Sequence, residues 1–119
     1  MKKIFILDDD LDILELLETV LGHKYIIQSV NDPFLAPEKI KEFGPDLLII
    51  DHFIGRFHSN DVMKNILAAS DGKNIPFIIF SGSPDIEQKV KEIGAAGHIS
   101  KPGSISHIRS YIDDFFEGR

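Results

Sequence analysis

The feature that most constrains this chain is a series of short apolar runs, each closed by a polar residue. Lys3–Leu7 (KIFIL), Tyr25–Val30 (YIIQSV), Leu47–Ile50 (LLII), Ile75–Phe80 (IPFIIF) and Gly97–Ser100 (GHIS) read as strands. The first and third are nearly all apolar, as strands covered on both faces are. Segments of helical period separate them. Leu11, Leu14, Leu17 and Leu21 share one face, reinforced by Ile13 and Val20, and Gly22 stops that helix. Asn31-Asp32-Pro33 looks like an N-cap with Pro at the first helical position, yet Pro37 falls too deep for a regular helix starting there. Either residues 33–35 form a short turn or the helix begins near Ala36, and it ends by Phe43, before Gly44-Pro45. A loop from His52 to Ser59 precedes a helix over about 60–69. Ser83-Pro84-Asp85 caps another helix, which stops at Gly94. Ser104 caps a last helix striped by Ile105, Ile108, Ile112 and Phe115.

Five strands separated by helices specify an α/β fold with a parallel sheet and, through right-handed crossovers, helices on both faces. The 119 residues fit a single domain spanning 1–119, and a hydrophobic content of 43% supports one core. There are no internal repeats or linkers. The absence of cysteine removes disulfide and thiolate chemistry and fits a reducing, cytoplasmic setting. With only a handful of residues before the first strand no signal peptide is expected, and no apolar stretch approaches the roughly 20 residues of a membrane span. The net charge of -6, from 19 acidic and 13 basic residues, argues against nucleic-acid binding, because it would repel the phosphate backbone. Most of this acidity serves solubility.

In open parallel sheets ligands sit beyond the C-terminal strand ends. Those ends carry Asp8 and Asp9, Asp51, Ser81 and Lys101. Taken singly each has an ordinary reading: an Asp that ends a strand is a turn former or a helix cap, as Asp10 is expected to be, Ser before Gly is a turn residue, and Lys before Pro is solvated. Jointly they make a site. Three converging carboxylates repel unless a cation neutralises them or some are protonated. Oxygen ligands without His or Cys suit a hard ion, with Mg²⁺ favoured because it also pairs with phosphate. A carboxylate can attack phosphorus and give an acyl phosphate, and phosphoryl transfer needs little beyond positioning and charge neutralisation.

The string ILDDD after a first strand, PDLLIID ending a third, FSG ending a fourth and SKP ending a fifth resembles the receiver domain of bacterial two-component response regulators. The likeness covers essentially the whole chain in order. It implies a flavodoxin-like, CheY-like three-layer sandwich: a five-stranded parallel sheet in the order 2-1-3-4-5 with five helices. It also implies that Asp51 is the phosphoacceptor and that Asp8 and Asp9 hold Mg²⁺, with Asp9 favoured as the direct ligand and the Phe53 backbone carbonyl assisting. Ser81 would be the hydroxyl that turns toward the phosphoryl group, and Lys101 the phosphate-pairing lysine, preceding Pro102 through a cis bond. The donor would be a histidine kinase or histidine phosphotransfer protein. Output to a protein partner, or a homodimer, would run through the fourth helix, fifth strand and fifth helix. No membrane contact, no effector domain in this chain and no turnover substrate beyond the domain's own phosphorylation and dephosphorylation are expected.

The loop after Asp51 departs from the family. Many receivers have Pro four residues past the acceptor, where this chain has Gly55, and the Asp-Gly or Asn-Gly that usually follows is missing from HFIGRFHSND. Phe53 and Ser83 are expected to tune the lifetime of the phosphorylated state, read as a dephosphorylation rate. His98 stands three before Lys101, where many relatives carry a switching Tyr or Phe; it is either a switch or a surface histidine. His52 and His58 invite a metal reading with Asp51, but the spacing matches no standard zinc pattern. His52-Phe53-Ile54-Gly55 echoes the second half of the cobalamin-binding Asp-x-His-x-x-Gly, but Ile50 occupies the Asp position and the segment follows the wrong strand. The alternative of another class is a degenerate receiver that binds a partner without being phosphorylated.

Overall fold

The computed structural model describes residues 1–51, 53–54, 57–58, 64, 66, 75–81, 95–100 and 105–117. The order of elements is β1 (Lys3–Leu7), α1 (Leu11–Leu21), β2 (Ile26–Val30), α2 (Ala36–Phe43), β3 (Leu47–Asp51), β4 (Phe53–Ile54), β5 (Phe57–His58), β6 (Phe77–Ser81), β7 (Gly97–Ser100) and α3 (Ile105–Phe116). The five long strands pair in parallel in the order β2-β1-β3-β6-β7. This is the flavodoxin-like order 2-1-3-4-5 that the sequence led us to expect. The helices expected over about 60–69 and from Ser83 to Gly94 lie outside the described residues, apart from helical Lys64 and Ile66.

Strand side chains alternate between the two faces, and the core divides accordingly. On one face Ile4, Ile6, Leu47, Ile49, Ile78, Phe80 and Ile99 pack against Leu14, Leu17, Val20 and Leu21 of α1 and Ile108 and Ile112 of α3. On the other, Phe5, Leu7, Leu48, Ile50, Phe77 and Ile79 meet Ala36 and Ile40 of α2 and Ile66. Leu11 is the exception in the α1 stripe. It is 64% exposed, because it sits in the first helical position, directly after the cap. Asp10 is that cap, accepting the Asp12 N–H at 2.9 Å.

At the start of α2 the two alternatives occur together, and the helix N-cap is Leu35 rather than Asn31 or Asp32 before Pro33. Asp32 Oδ1 accepts the Phe34 N–H at 2.9 Å and closes a turn over 33–35. The helix then begins at Ala36, which places Pro37 in its first turn, where a missing N–H does no harm. Gly44 ends it at φ 65°, donating its N–H to the Ile40 carbonyl at 2.9 Å. A Cβ there meets nothing within 4 Å, so the cost of a side chain is purely conformational. Gly44→Ala should therefore lower the unfolding free energy by about 1–2 kcal/mol, read by denaturant titration.

Within the loop expected over His52–Ser59, the described residues form two short strands. Phe53–Ile54 pairs antiparallel with Phe57–His58 in the register Phe53↔His58 and Ile54↔Phe57.

At the opposite end of the sheet, Tyr25 Oη donates a hydrogen bond to Asp113 of α3, which also pairs with Lys24 Nζ at 3.2 Å. The phenol bond, ahead of Lys24, holds the Asp113 carboxyl below its ordinary 3.8. Burial, then the Asp113 bond and charge, pushes the Tyr25 phenol above its ordinary 10.0. The depressed carboxylate contributes stability above its unfolded value, which is lost as pH falls through the folded one. The raised phenol contributes stability below its unfolded value, which is lost as pH rises through the folded one. Tyr25→Phe should lower stability at neutral pH and flatten both limbs of the profile, measured by denaturant unfolding across pH.

Candidate functional site at the strand ends

Register decides which side chains meet. Leu7 pairs with Ile50, so the next residues along, Asp8 and Asp51, reach the same edge on neighbouring central strands. Asp51 in turn pairs with Phe80, and Ser81 with Ser100. Ser81 therefore ends the strand beside Asp51, and Lys101 follows the strand beyond that. The structure thus brings Asp8, Asp9, Asp51 and the Ser81 backbone to one edge. Lys101, His52 and Gly55 lie outside the described residues, and so do Ser83 and Pro102. Phe53 is the first residue of β4, two past Asp51.

The three aspartates differ in setting. Asp8 is 1% exposed, and its Oδ1 accepts the Asp10 N–H at 2.9 Å, which fixes the carboxylate at the turn into α1. Asp9 is exposed and Asp51 half-buried. One carboxylate oxygen from each lies within 4.8 Å of the others. Two unit charges at that distance repel by roughly 3 kcal/mol at an effective dielectric of 20. A cation relieves that repulsion. Among the described residues the donor set is three carboxylates, without His, and one of them is buried in fixed orientation. It fits a hard divalent cation and does not fit a zinc or copper centre.

The rim carries apolar side chains that patterning did not anticipate as exposed. Leu11, the first residue of α1, is 64% exposed, and Phe34 and Leu35, in the connection that follows β2, are 74% and 50% exposed. His98 is half-buried in β7, and its backbone N–H donates to Tyr111 Oη of α3 at 3.1 Å. Tyr111 was not singled out from the sequence. The usable signal was Gly97 opening a strand, since glycine there often marks a close approach.

Comparison with known proteins agrees with this geometry. The family model for the response regulator receiver domain matches residues 4–113. Regulatory protein VirG of Agrobacterium tumefaciens (strain 15955) is 30% identical over 117 residues, covering 94% of this chain and 42% of that protein. Sporulation initiation phosphotransferase F of Bacillus subtilis (strain 168) is 26% identical over 115 residues, covering 96% of this chain and 93% of that one. The chain thus spans less than half of the first relative and nearly all of the second. Among solved structures, the N-terminal domain of the nisin resistance regulator NsrR superposes with a TM-score of 0.83 at 27% identity, covering 96% of this chain and 97% of that one. Chemotaxis protein CheY4 of Vibrio cholerae has the same fold, with a TM-score of 0.84 at 22% identity and coverage of 96% and 98%. No helix among the described residues is long and apolar enough to cross a membrane.

Proposed function

This chain belongs to the response regulator receiver domain family, and on that premise we propose that it is a phosphoacceptor switch. An Asp51 carboxylate oxygen attacks the phosphorus of a phosphohistidine on a histidine kinase or phosphotransfer protein. The P–O bond forms as the P–N bond breaks, the bonding pair leaves on the imidazole nitrogen, and Asp51 becomes an acyl phosphate. The observation that carries this reading is the convergence of Asp8, Asp9 and Asp51 within 4.8 Å at the ends of β1 and β3. Asp8, Asp9 and Asp51, with the Phe53 carbonyl, would hold Mg²⁺, whose charge would offset that of the phosphoryl oxygens. Lys101 pairs with a phosphoryl oxygen and Ser81 donates its hydroxyl to another. Asp8, fixed by the Asp10 N–H, orients the acidic pocket while Asp9 faces the incoming group. The domain has no separate turnover substrate. Its output is a change in what its β7 and α3 side binds. A probable cyclic di-GMP phosphodiesterase of Vibrio cholerae is matched over only 27% of its length.

Incubation with Mg²⁺ and acetyl phosphate, followed by intact mass, tests this reading. The expected result is a gain of one phosphoryl group that disappears when Mg²⁺ is chelated. No gain in any metal would make the chain a phosphorylation-independent binding module instead.

The carboxylate cluster adds a stability prediction with a sign change. In metal-free buffer Asp9→Asn should raise the thermal midpoint, since it removes one of three repelling charges. In excess Mg²⁺ the order should reverse. A ligand at a hundred times its dissociation constant stabilises by about 2.7 kcal/mol, and Asp9→Asn forfeits much of this. Thermal unfolding with and without Mg²⁺ reads both.

A further inference from the structure

Family likeness directs attention to the His98 ring, but the contacts of β7 single out a different side chain. Tyr111 lies on α3, and its hydroxyl accepts the His98 backbone N–H at 3.1 Å. It can do so because residue 97 is glycine: a Cβ there would collide with the Tyr111 hydroxyl oxygen and lie 3.2 Å from its ring. The hydroxyl therefore fills a recess in the sheet that any other residue at 97 would close. One turn earlier on α3, the exposed His107 ring stands 6.2 Å from the Tyr111 ring, tilted by 58°. A single path of contacts thus runs from the β7 backbone through a half-buried phenol to the outer surface of α3. At its inner end β7 is in register with β6 through Ser81↔Ser100, and it leads directly into Lys101.

We infer that Tyr111 is a positioning residue that couples the strand-end site to the α3 surface: it seats in the Gly97 recess in the resting domain and leaves it when Asp51 is phosphorylated. This inference rests on the phosphoacceptor reading above. A neutral hydrogen bond contributes on the order of 1 kcal/mol net, so the seat is held weakly enough for the site to bias it. The recess itself acts as an all-or-none element. A phenol either fits into the space of a missing Cβ or swings out beside His107, and a displacement of the β6 and β7 ends by a fraction of an ångström is converted into a rotamer change. The pull on Ser81 and Lys101 by the phosphoryl group supplies that displacement. The exposed phenol and His107 together then change the surface offered by α3.

The chain is well suited to a direct test, because it has no tryptophan and two tyrosines, Tyr25 and Tyr111. The unaltered protein labelled with ring-¹³C tyrosine gives two sets of ring signals, assigned with Tyr111→Phe. Phosphorylation by acetyl phosphate with Mg²⁺ is followed by intact mass in the same sample. The expected result is a shift of the Tyr111 signals in proportion to phosphoryl uptake, with Tyr25 unmoved and no shift in Asp51→Asn. Gly97→Ala, which closes the recess, should give the shifted Tyr111 signals without phosphate. Uptake with unchanged Tyr111 signals overturns the coupling and leaves the phosphoacceptor reading standing. Absence of uptake overturns that reading and the coupling with it. A merely structural tyrosine would lose stability in Tyr111→Phe but would not report phosphorylation.

Discussion

Asp51→Asn is expected to reduce phosphoryl uptake to background while leaving the domain folded. The amide matches the carboxylate in shape but supplies no anionic oxygen to attack phosphorus. Asp51 ends a central strand whose preceding four residues are buried, so the backbone that carries it is fixed by packing rather than by its own side chain. The substitution also removes one of three carboxylates held within 4.8 Å, which relieves repulsion. In metal-free buffer the unfolding midpoint should therefore not fall. Loss of uptake with an undiminished midpoint separates a chemical role from a structural one. Circular dichroism melts and intact mass on the same preparation read both. A drop in stability parallel to the drop in uptake would mean that Asp51 acts as a structural strand terminus.

The second large effect is on the core. Phe80→Ala should destabilise the domain by about 3–5 kcal/mol, the range for deleting a buried aromatic ring. Phe80 is 1% exposed on β6 and packs in the cluster that joins the sheet to α1 and α3. Stabilities of domains this size are themselves only about 5–15 kcal/mol, so much of the total is at stake. Phe80 is also the register partner of Asp51. Phe80→Leu, which keeps most of the volume, should cost clearly less, and urea titration ranks the two.

The sheet was legible because its strands obey simple rules. KIFIL and LLII have no polar interior position, and that requires cover on both faces; β1 and β3 duly occupy the centre. The strand order could not be derived from apolar pattern and came through family likeness. The acidic trio was legible as soon as the strands were, because a parallel register turns two strand-end aspartates into neighbours. Local signals worked at Asp10 and Gly44, where caps need particular residue types, and Gly22 follows the end of α1 as expected, in the right-handed region. Three things were hidden. Leu11 fits a helical stripe by period, yet position along the helix, not angle around it, decides its exposure. The pair Phe53–Ile54 and Phe57–His58 is too short for period to show. The seat of Tyr111 depends on residues 14 apart in sequence, and no local pattern encodes that.

The central claim is tested most directly by locating the phosphoryl group. The phosphorylated protein is reduced with borohydride, which converts an aspartyl acyl phosphate to homoserine, then digested and sequenced by mass spectrometry. The account predicts homoserine at Asp51 and unmodified aspartate at Asp8 and Asp9. Homoserine at either of those two, or a phosphate that survives in Asp51→Asn, would contradict it.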